Sequence, residues 1–194
     1  MTEKEIDTKK KIIDATIQLI REEKDVDKIT IREIAKRAGI AKSMINYHFQ
    51  SKENLIDNAV QSFISSIIRE GDNKLQKVEM EPEERLRKRV KQAAAYLALN
   101  PGISRVSILR DLKQASGIDN SSQSLESIYS QIKDIYSGEQ ENDIDLMIKA
   151  QQLLATLQEI FLRASVFKKQ TGIDYYNDQQ RNELMDKIID NILK

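Results

Sequence analysis

Apolar residues recur every three or four positions along almost the whole chain, which is the spacing of an amphipathic α-helix. No run of alternating β-branched residues bounded by turn residues indicates a strand. The pattern therefore predicts an all-α fold of about nine helices. The breaks between these helices, near residues 24–29, 115–122, 138–142 and 171–177, are too short for flexible interdomain linkers.

The first three predicted helices have recognisable end signals. The first covers about residues 8–24 and carries one apolar face. The second begins after Thr30, because the sequence TIRE lets Thr30 and Glu33 satisfy each other's backbone amides in a capping box. Gly39 ends that helix as a left-handed residue, and a third helix covers about residues 42–49.

The later predicted helices are longer. Ser51 is expected to cap the fourth helix, and Pro82 and Pro101 stand where proline is favoured, at the first helical position. The longest uninterrupted pattern covers residues 143–170, and the last pattern covers residues 178–194. Both are apolar on more than one face, so each helix can face its own core and a partner chain.

The second and third predicted helices, joined by the turn at Gly39, form a helix-turn-helix pattern. Ile45 and Phe49 stand four residues apart in the third helix and are expected to face inward. Met44 can also be explained as packing against the first helix, and His48 as a half-buried spacer. The residues left facing outward suit the base edges and phosphates of a DNA major groove: Lys42, Ser43, Met44, Asn46 and Tyr47, with His48 at the edge.

Local charge favours a nucleic-acid partner, although the whole chain is neutral. The chain has 31 basic and 31 acidic residues, so any contact with an anionic partner must come from clustering. Between residues 32 and 52 the only acidic residue is Glu33, and the basic ones are Arg32, Lys36, Arg37, Lys42 and Lys52. Backbone phosphates are expected to meet Arg32, Lys42, Tyr47 and Lys52.

Composition excludes several kinds of chemistry. With no cysteine and one histidine, the chain cannot form disulfides, thiolate metal sites or, within one chain, a multi-histidine site. No phosphate-binding loop or nucleophile motif stands out, so we expect no enzyme, no bound metal and no cofactor. No apolar signal segment or membrane span is visible, and we expect a cytoplasmic protein without a membrane partner.

The run TIREIAKRAGIAKSMINYHFQSKENLI, residues 30–56, resembles the DNA-binding signature of the TetR family of transcriptional regulators. The resemblance implies a helix-turn-helix DNA-binding domain at residues 1–52 and a helical regulatory and dimerisation domain at residues 53–194. It also implies DNA contacts from Thr30 and Arg32, from the third helix including His48, and from Lys52. The matching positions are Thr30, Ile34, Ala35, Ala38, Gly39, Phe49, Lys52 and Leu55.

The sequence departs from the family pattern at the third helix. Ala41 replaces the usual serine before it, so this helix lacks a side-chain N-cap, which is typically worth about 1 kcal/mol. Ser43 replaces a common glycine, and Asn46 stands at a common tyrosine position, with Tyr47 one place later. We therefore expect a DNA target different from that of members closer to the consensus.

The resemblance further implies a homodimer on a palindromic operator and a pocket for a small effector that releases the DNA. Such a protein is most commonly a repressor, and the aliphatic pocket candidates favour an apolar effector, although they would serve equally in a plain core. The pocket candidates are Tyr96, Ile108, Tyr129, Ile132, Leu154, Gln158 and Phe161. The dimer candidates are Leu157, Phe161, Leu184, Ile188 and Ile192.

Three other interpretations stay open at the level of the sequence. The chain could be an architectural or partner-gated DNA-binding factor of the same fold, without a small-molecule ligand. It could be a protein-interaction module whose helix-turn-helix no longer binds DNA. The helix-turn-helix could also be an ordinary packing angle in a helical protein.

Overall fold

The computed structural model describes residues 3–23, 26–114, 116–138 and 140–194. The described residues form ten α-helices and a short 3-10 helix at Val26–Lys28, and they contain no strand, which confirms the all-α prediction. None of these helices has the length and apolar character needed to cross a membrane. The helices are α1 (Glu3–Glu22), α2 (Ile31–Ala38), α3 (Lys42–Phe49), α4 (Lys52–Gln76), α5 (Pro82–Leu99), α6 (Pro101–Gln114), α7 (Asn120–Ile135), α8 (Asp143–Leu162), α9 (Ala164–Thr171) and α10 (Asp178–Leu193).

The helix ends largely follow the local signals in the sequence. The Ser51 hydroxyl accepts a hydrogen bond from the Asn54 amide at 3.0 Å at the start of α4. Pro82 and Pro101 are the first residues of α5 and α6. The predicted end of the first helix, at Lys24, lies outside the described residues.

The helix predicted over residues 143–170 is two helices in the structure. Arg163, with φ −116° and ψ 29°, ends α8 and precedes α9. The Arg163 amide still donates to the Glu159 carbonyl at 3.0 Å, and the Phe167 amide donates to the Arg163 carbonyl at 2.9 Å, so backbone hydrogen bonds continue on both sides of the break. No glycine or proline marks this position, which explains why the periodicity continued through it.

The chain divides into two compact units, Met1–Ser66 with Asn100–Ala115, and Ile67–Leu99 with Ser116–Lys194. In the first unit, α1 packs against α2 and α6, and α2 packs against α3. Gly102 of α6 allows a close approach to α1, because a Cβ atom there would lie 3.1 Å from the Ile20 carbonyl oxygen. The core of this unit includes Ile12, Ile20, Ile29, Ile34, Ile45, Leu55, Ala59, Val60 and Ile103.

The second unit has a core built mainly by α5, α7, α8 and α10. Tyr175 is fully buried, and its hydroxyl donates to the Ala94 carbonyl at 3.1 Å. Burial raises the pKa of the Tyr175 phenol above its ordinary range. The end of α10 is held by Tyr136 and Lys149, which donate to the carbonyls of residues 193 and 192 at 2.6 and 3.0 Å. These bonds satisfy carbonyl groups that a helix end leaves without an intrahelical partner.

Candidate nucleic-acid interface

Helix α2 begins and ends where the sequence predicts. The Thr30 amide donates to the Glu33 carboxylate at 2.8 Å, and the Glu33 amide donates to the Thr30 hydroxyl at 3.3 Å, so the capping box is confirmed. Thr30 donates to the Glu33 carboxylate from its side chain and from its backbone. These two hydrogen bonds, the side-chain bond most of all, hold the pKa of the Glu33 carboxyl below its usual range. Gly39 has φ 67° and ψ 34°, the left-handed conformation that favours glycine.

Helix α3 is held by its buried face, since it lacks a side-chain cap. Ala41 makes no capping hydrogen bond, as predicted. Ile45 is 0% exposed and Phe49 is 4% exposed, so the two residues predicted to face inward form the anchor. This anchor leaves the opposite face of α3 open to solvent.

The exposed face of α3 carries the polar residues predicted to meet DNA. Lys42, Ser43, Asn46 and Tyr47 are exposed, and Tyr47 is 69% exposed, which is high for an aromatic side chain. Met44 and His48 are half-buried. His48 packs against its neighbour Tyr47 with the ring centroids 5.0 Å apart and the rings nearly perpendicular.

The predicted backbone contacts flank α3 on both sides. Arg32 is exposed in the first turn of α2. Lys52 is half-buried at the start of α4, and its ammonium donates to the Asp27 carbonyl at 2.8 Å. An ammonium group has three donors, so this bond orients the Lys52 side chain and leaves two donors for a phosphate.

Arg37, one of the basic residues between positions 32 and 52, pairs with an acidic residue that is distant in the sequence. The Arg37 guanidinium makes two hydrogen bonds of 2.7 Å to the Glu22 carboxylate, from the end of α2 to the end of α1. The bond from Arg37 lowers the pKa of Glu22. The effective positive charge near α3 is therefore smaller than the count of basic residues between 32 and 52 indicates.

The residues predicted for an effector pocket are distributed over both units. Ile108 belongs to the first unit, and the other six belong to the second. Ile132, Leu154 and Phe161 are buried, whereas Tyr96, Tyr129 and Gln158 are half-buried. The Tyr129 hydroxyl donates to Asp143 at 3.2 Å, and the Gln158 amide donates to Ser121 at 3.0 Å. Their role in a pocket stays a prediction.

The second unit also contains a small polar cavity that sequence reasoning missed. Its volume is about 100 Å³, room for a few water molecules and far below the size of typical ligand pockets. No local sequence pattern predicts this cavity, because its lining residues come from three helices. The lining residues are Asp72, Leu75, Gln76, Arg85, Ser127, Ser130, Gln131 and Asp134.

The residues predicted for a dimer interface differ in their exposure. Leu157, Phe161 and Leu184 are buried within the protomer, and Ile188 and Ile192 are half-buried. The large apolar side chains that α8 and α9 leave exposed are different ones: Ile144 at 66%, Ile148 at 48%, Val166 at 37% and Met147 at 36%.

Comparison with known proteins places the helix-turn-helix in a described family. Residues 12–59 match the family described as "Bacterial regulatory proteins, tetR family". Among curated proteins, the chain is similar to the nucleoid occlusion factor SlmA of Vibrio campbellii, with 24% identity over 103 residues. That match covers 53% of this chain and 52% of the relative, so the chain spans about half the length of the relative it matches.

Solved structures share the fold over nearly the whole chain. The transcriptional regulator FadR of Bacillus subtilis, solved in complex with stearoyl-CoA, aligns with a TM-score of 0.69 and 20% identity, covering 95% of this chain and 97% of that chain. The fatty acid degradation regulator FadR of Bacillus halodurans aligns with a TM-score of 0.63 and 18% identity, covering 95% and 97%. At these identities the likeness concerns the fold.

Proposed function

We propose that this chain, whose residues 12–59 match the TetR family of bacterial regulatory proteins, binds a palindromic operator as a homodimer and represses transcription until a small effector releases it. The observation that supports this proposal most directly is the exposed polar face of α3. Ile45 and Phe49 hold α3 in the helix-turn-helix by their buried side chains. The proposal includes the predicted domains at residues 1–52 and 53–194. It places the protein in the cytoplasm, with no cofactor and no enzymatic activity.

We call the exposed face of α3, with Asn46 and Tyr47, the reading face, because its side chains can contact base edges. Asn46 can pair with the edge of an adenine, and the exposed Tyr47 ring can contact a thymine methyl group or a phosphate. Lys42, Arg32 and Lys52 supply charge for the backbone, and Thr30 lies at the N-terminus of α2, whose amides favour an anion. Ser43, Met44 and His48 complete the surface of the recognition helix.

Dimerisation is proposed through α8 to α10. Helix α8 exposes Ile144 and Ile148 one turn apart, and α9 exposes Val166, although large aliphatic residues are usually buried. Ile188 and Ile192 of α10, predicted from the sequence, are half-buried and still have surface for a partner. A two-fold interface built from these helices would present two copies of α3 to the two halves of a palindrome.

An Ile148→Glu substitution is expected to weaken the dimer by roughly 100-fold or more, because the interface would bury an unpaired carboxylate. Sedimentation at micromolar concentration measures this shift from dimer to monomer. The matched control is Ile118→Glu, which places the same charge on a side chain that is 81% exposed outside the proposed interface. A monomeric wild type, or equal effects of the two variants, would contradict the proposed interface.

The proposed effector is a small, largely apolar molecule. A long-chain acyl thioester is the first class to test, because its acyl chain is apolar although its coenzyme A head is charged. The B. subtilis structure of the same fold contains stearoyl-CoA. We expect stearoyl-CoA to lower the affinity of the chain for its operator by about 5–150-fold, the usual range of coupling between two sites. Fluorescence anisotropy of labelled operator measures the change. Coenzyme A without the acyl chain is the control, and an equal effect of both compounds, or none, would reject this effector class.

A second candidate is an architectural or partner-gated DNA-binding factor without a small-molecule ligand. The similarity to a nucleoid occlusion factor favours it, although that match covers about half of each chain. Competition binding separates the two candidates. A regulator is expected to prefer its operator over bulk DNA by about 10³-fold or more, whereas an architectural factor would show a small preference distributed over many sites.

A further inference from the structure

Helix α1 lies beside the C-terminal end of α3. The Lys9 ammonium is 5.7 Å from the centre of the Phe49 ring, and Phe49 is the last residue of α3. The rings of Phe49 and His48 are 6.3 Å apart, and those of His48 and Tyr47 are 5.0 Å apart. A row of three rings therefore connects the Lys9 ammonium to Tyr47 on the reading face.

The C-terminal end of α3 lacks a lysine or arginine of its own. The only basic residue of its last turn is His48, and the end of a helix carries a partial negative charge that repels phosphates. Lys9, from another helix, brings a positive charge to this end. A cation placed there removes the repulsion and adds an attraction to the DNA strand.

The Lys9 side chain is available for such a contact. It is half-buried over Phe49, and no ion pair of Lys9 is found among the side chains that the structure describes. Lys11, two residues further along the same helix, differs because it pairs with Asp7 at 2.6 Å. A lysine ammonium on a four-carbon stem can move from the ring face to a nearby phosphate and donate up to three hydrogen bonds.

We propose that Lys9 contacts a backbone phosphate that flanks the groove occupied by α3, and so extends the DNA-binding surface to α1. The inference rests on the proposed DNA-binding function. A helix in the major groove, about 12 Å wide, has a phosphate strand along each side, and an element beside the end of that helix faces one of them. Such a contact adds affinity without reading sequence.

The test compares Lys9→Met with Lys11→Met in the full-length protein, bound to a DNA fragment from the region flanking its own gene. The methionine keeps an apolar stem over Phe49 and removes the charge. We expect Lys9→Met to make the plot of log affinity against log salt shallower by about 0.9 per protomer, or about 1.8 per dimer, and to weaken binding to all sequences alike. Lys11→Met is expected to keep the wild-type slope, and Lys9→Arg to restore it.

A wild-type slope for Lys9→Met, with or without a lower melting temperature, would overturn the inference, because Lys9 would then act only through packing on Phe49. Lys52→Met provides the reference for the proposed function, since Lys52 is a phosphate contact predicted from the family pattern. If Lys52→Met lowers the slope and Lys9→Met does not, the inference fails while DNA binding stands. If the wild type binds no DNA, both fail.

Discussion

An Ile45→Ala variant is expected to lose about 2–5 kcal/mol of unfolding free energy and to lose DNA binding. Ile45 is 0% exposed, and it anchors α3, a helix of eight residues that has no side-chain N-cap. Truncation leaves a cavity under this helix, and a helix this short is not stable without tertiary packing. Chemical denaturation followed by circular dichroism measures the first effect, and gel retardation of the gene-flanking DNA measures the second.

Asn46→Ala is the matched control, because the neighbouring Asn46 is exposed on the same helix. It is expected to change the unfolding free energy by less than about 0.5 kcal/mol. If Asn46 reads a base, its loss should reduce affinity for the operator by about 1–3 kcal/mol and relax the preference at one base pair. A stable Ile45→Ala protein with normal DNA binding would contradict the anchoring role of Ile45.

Asp72→Ala is expected to destabilise the second unit by about 3–5 kcal/mol. The Arg89 Nε donates to Asp72 at 2.7 Å, and the Ser127 hydroxyl donates to the same oxygen at 2.8 Å, so one carboxylate links α4, α5 and α7. The Arg89 side chain is only 10% exposed, and removing Asp72 would leave its charge buried without its partner. Thermal unfolding measures the loss as a lower melting temperature.

Glu70→Ala is the matched control on the same helix. Glu70 pairs with Lys74 at 2.6 Å, but the two side chains are 66% and 73% exposed, and such pairs contribute about 0.3–0.5 kcal/mol. The double variant Asp72→Ala with Arg89→Met should recover much of the lost stability, because it removes the isolated charge. Equal melting temperatures of Asp72→Ala and Glu70→Ala would contradict this account.

The helix-turn-helix and the exposed face of α3 could be predicted largely from the sequence because their determinants are local. The capping partners Thr30 and Glu33 are three residues apart, Gly39 acts through its own φ, and Ile45 and Phe49 share a face through helical spacing. Each of these signals depends on chain neighbours and not on the rest of the fold.

Features that depend on distant residues could not be predicted in the same way. Arg37 is bound by Glu22, 15 residues away, and the break at Arg163 has no marker residue. A pattern with two apolar faces does not indicate which face the protomer buries. The structure buries Leu157 and leaves Ile148 exposed, a choice made by the packing of α5, α7 and α10 around α8.

In the proposed complex, two copies of α3 read one palindromic operator. Nuclease footprinting of the wild-type protein on the DNA flanking its own gene tests this most directly. We expect one protected site with two symmetric halves, whose centres lie one helical turn, about 34–36 Å, or a multiple of it apart. Two results would contradict this expectation. The first is that no site is protected; the second is that the whole fragment is protected weakly and uniformly, at protein concentrations that also retard bulk DNA.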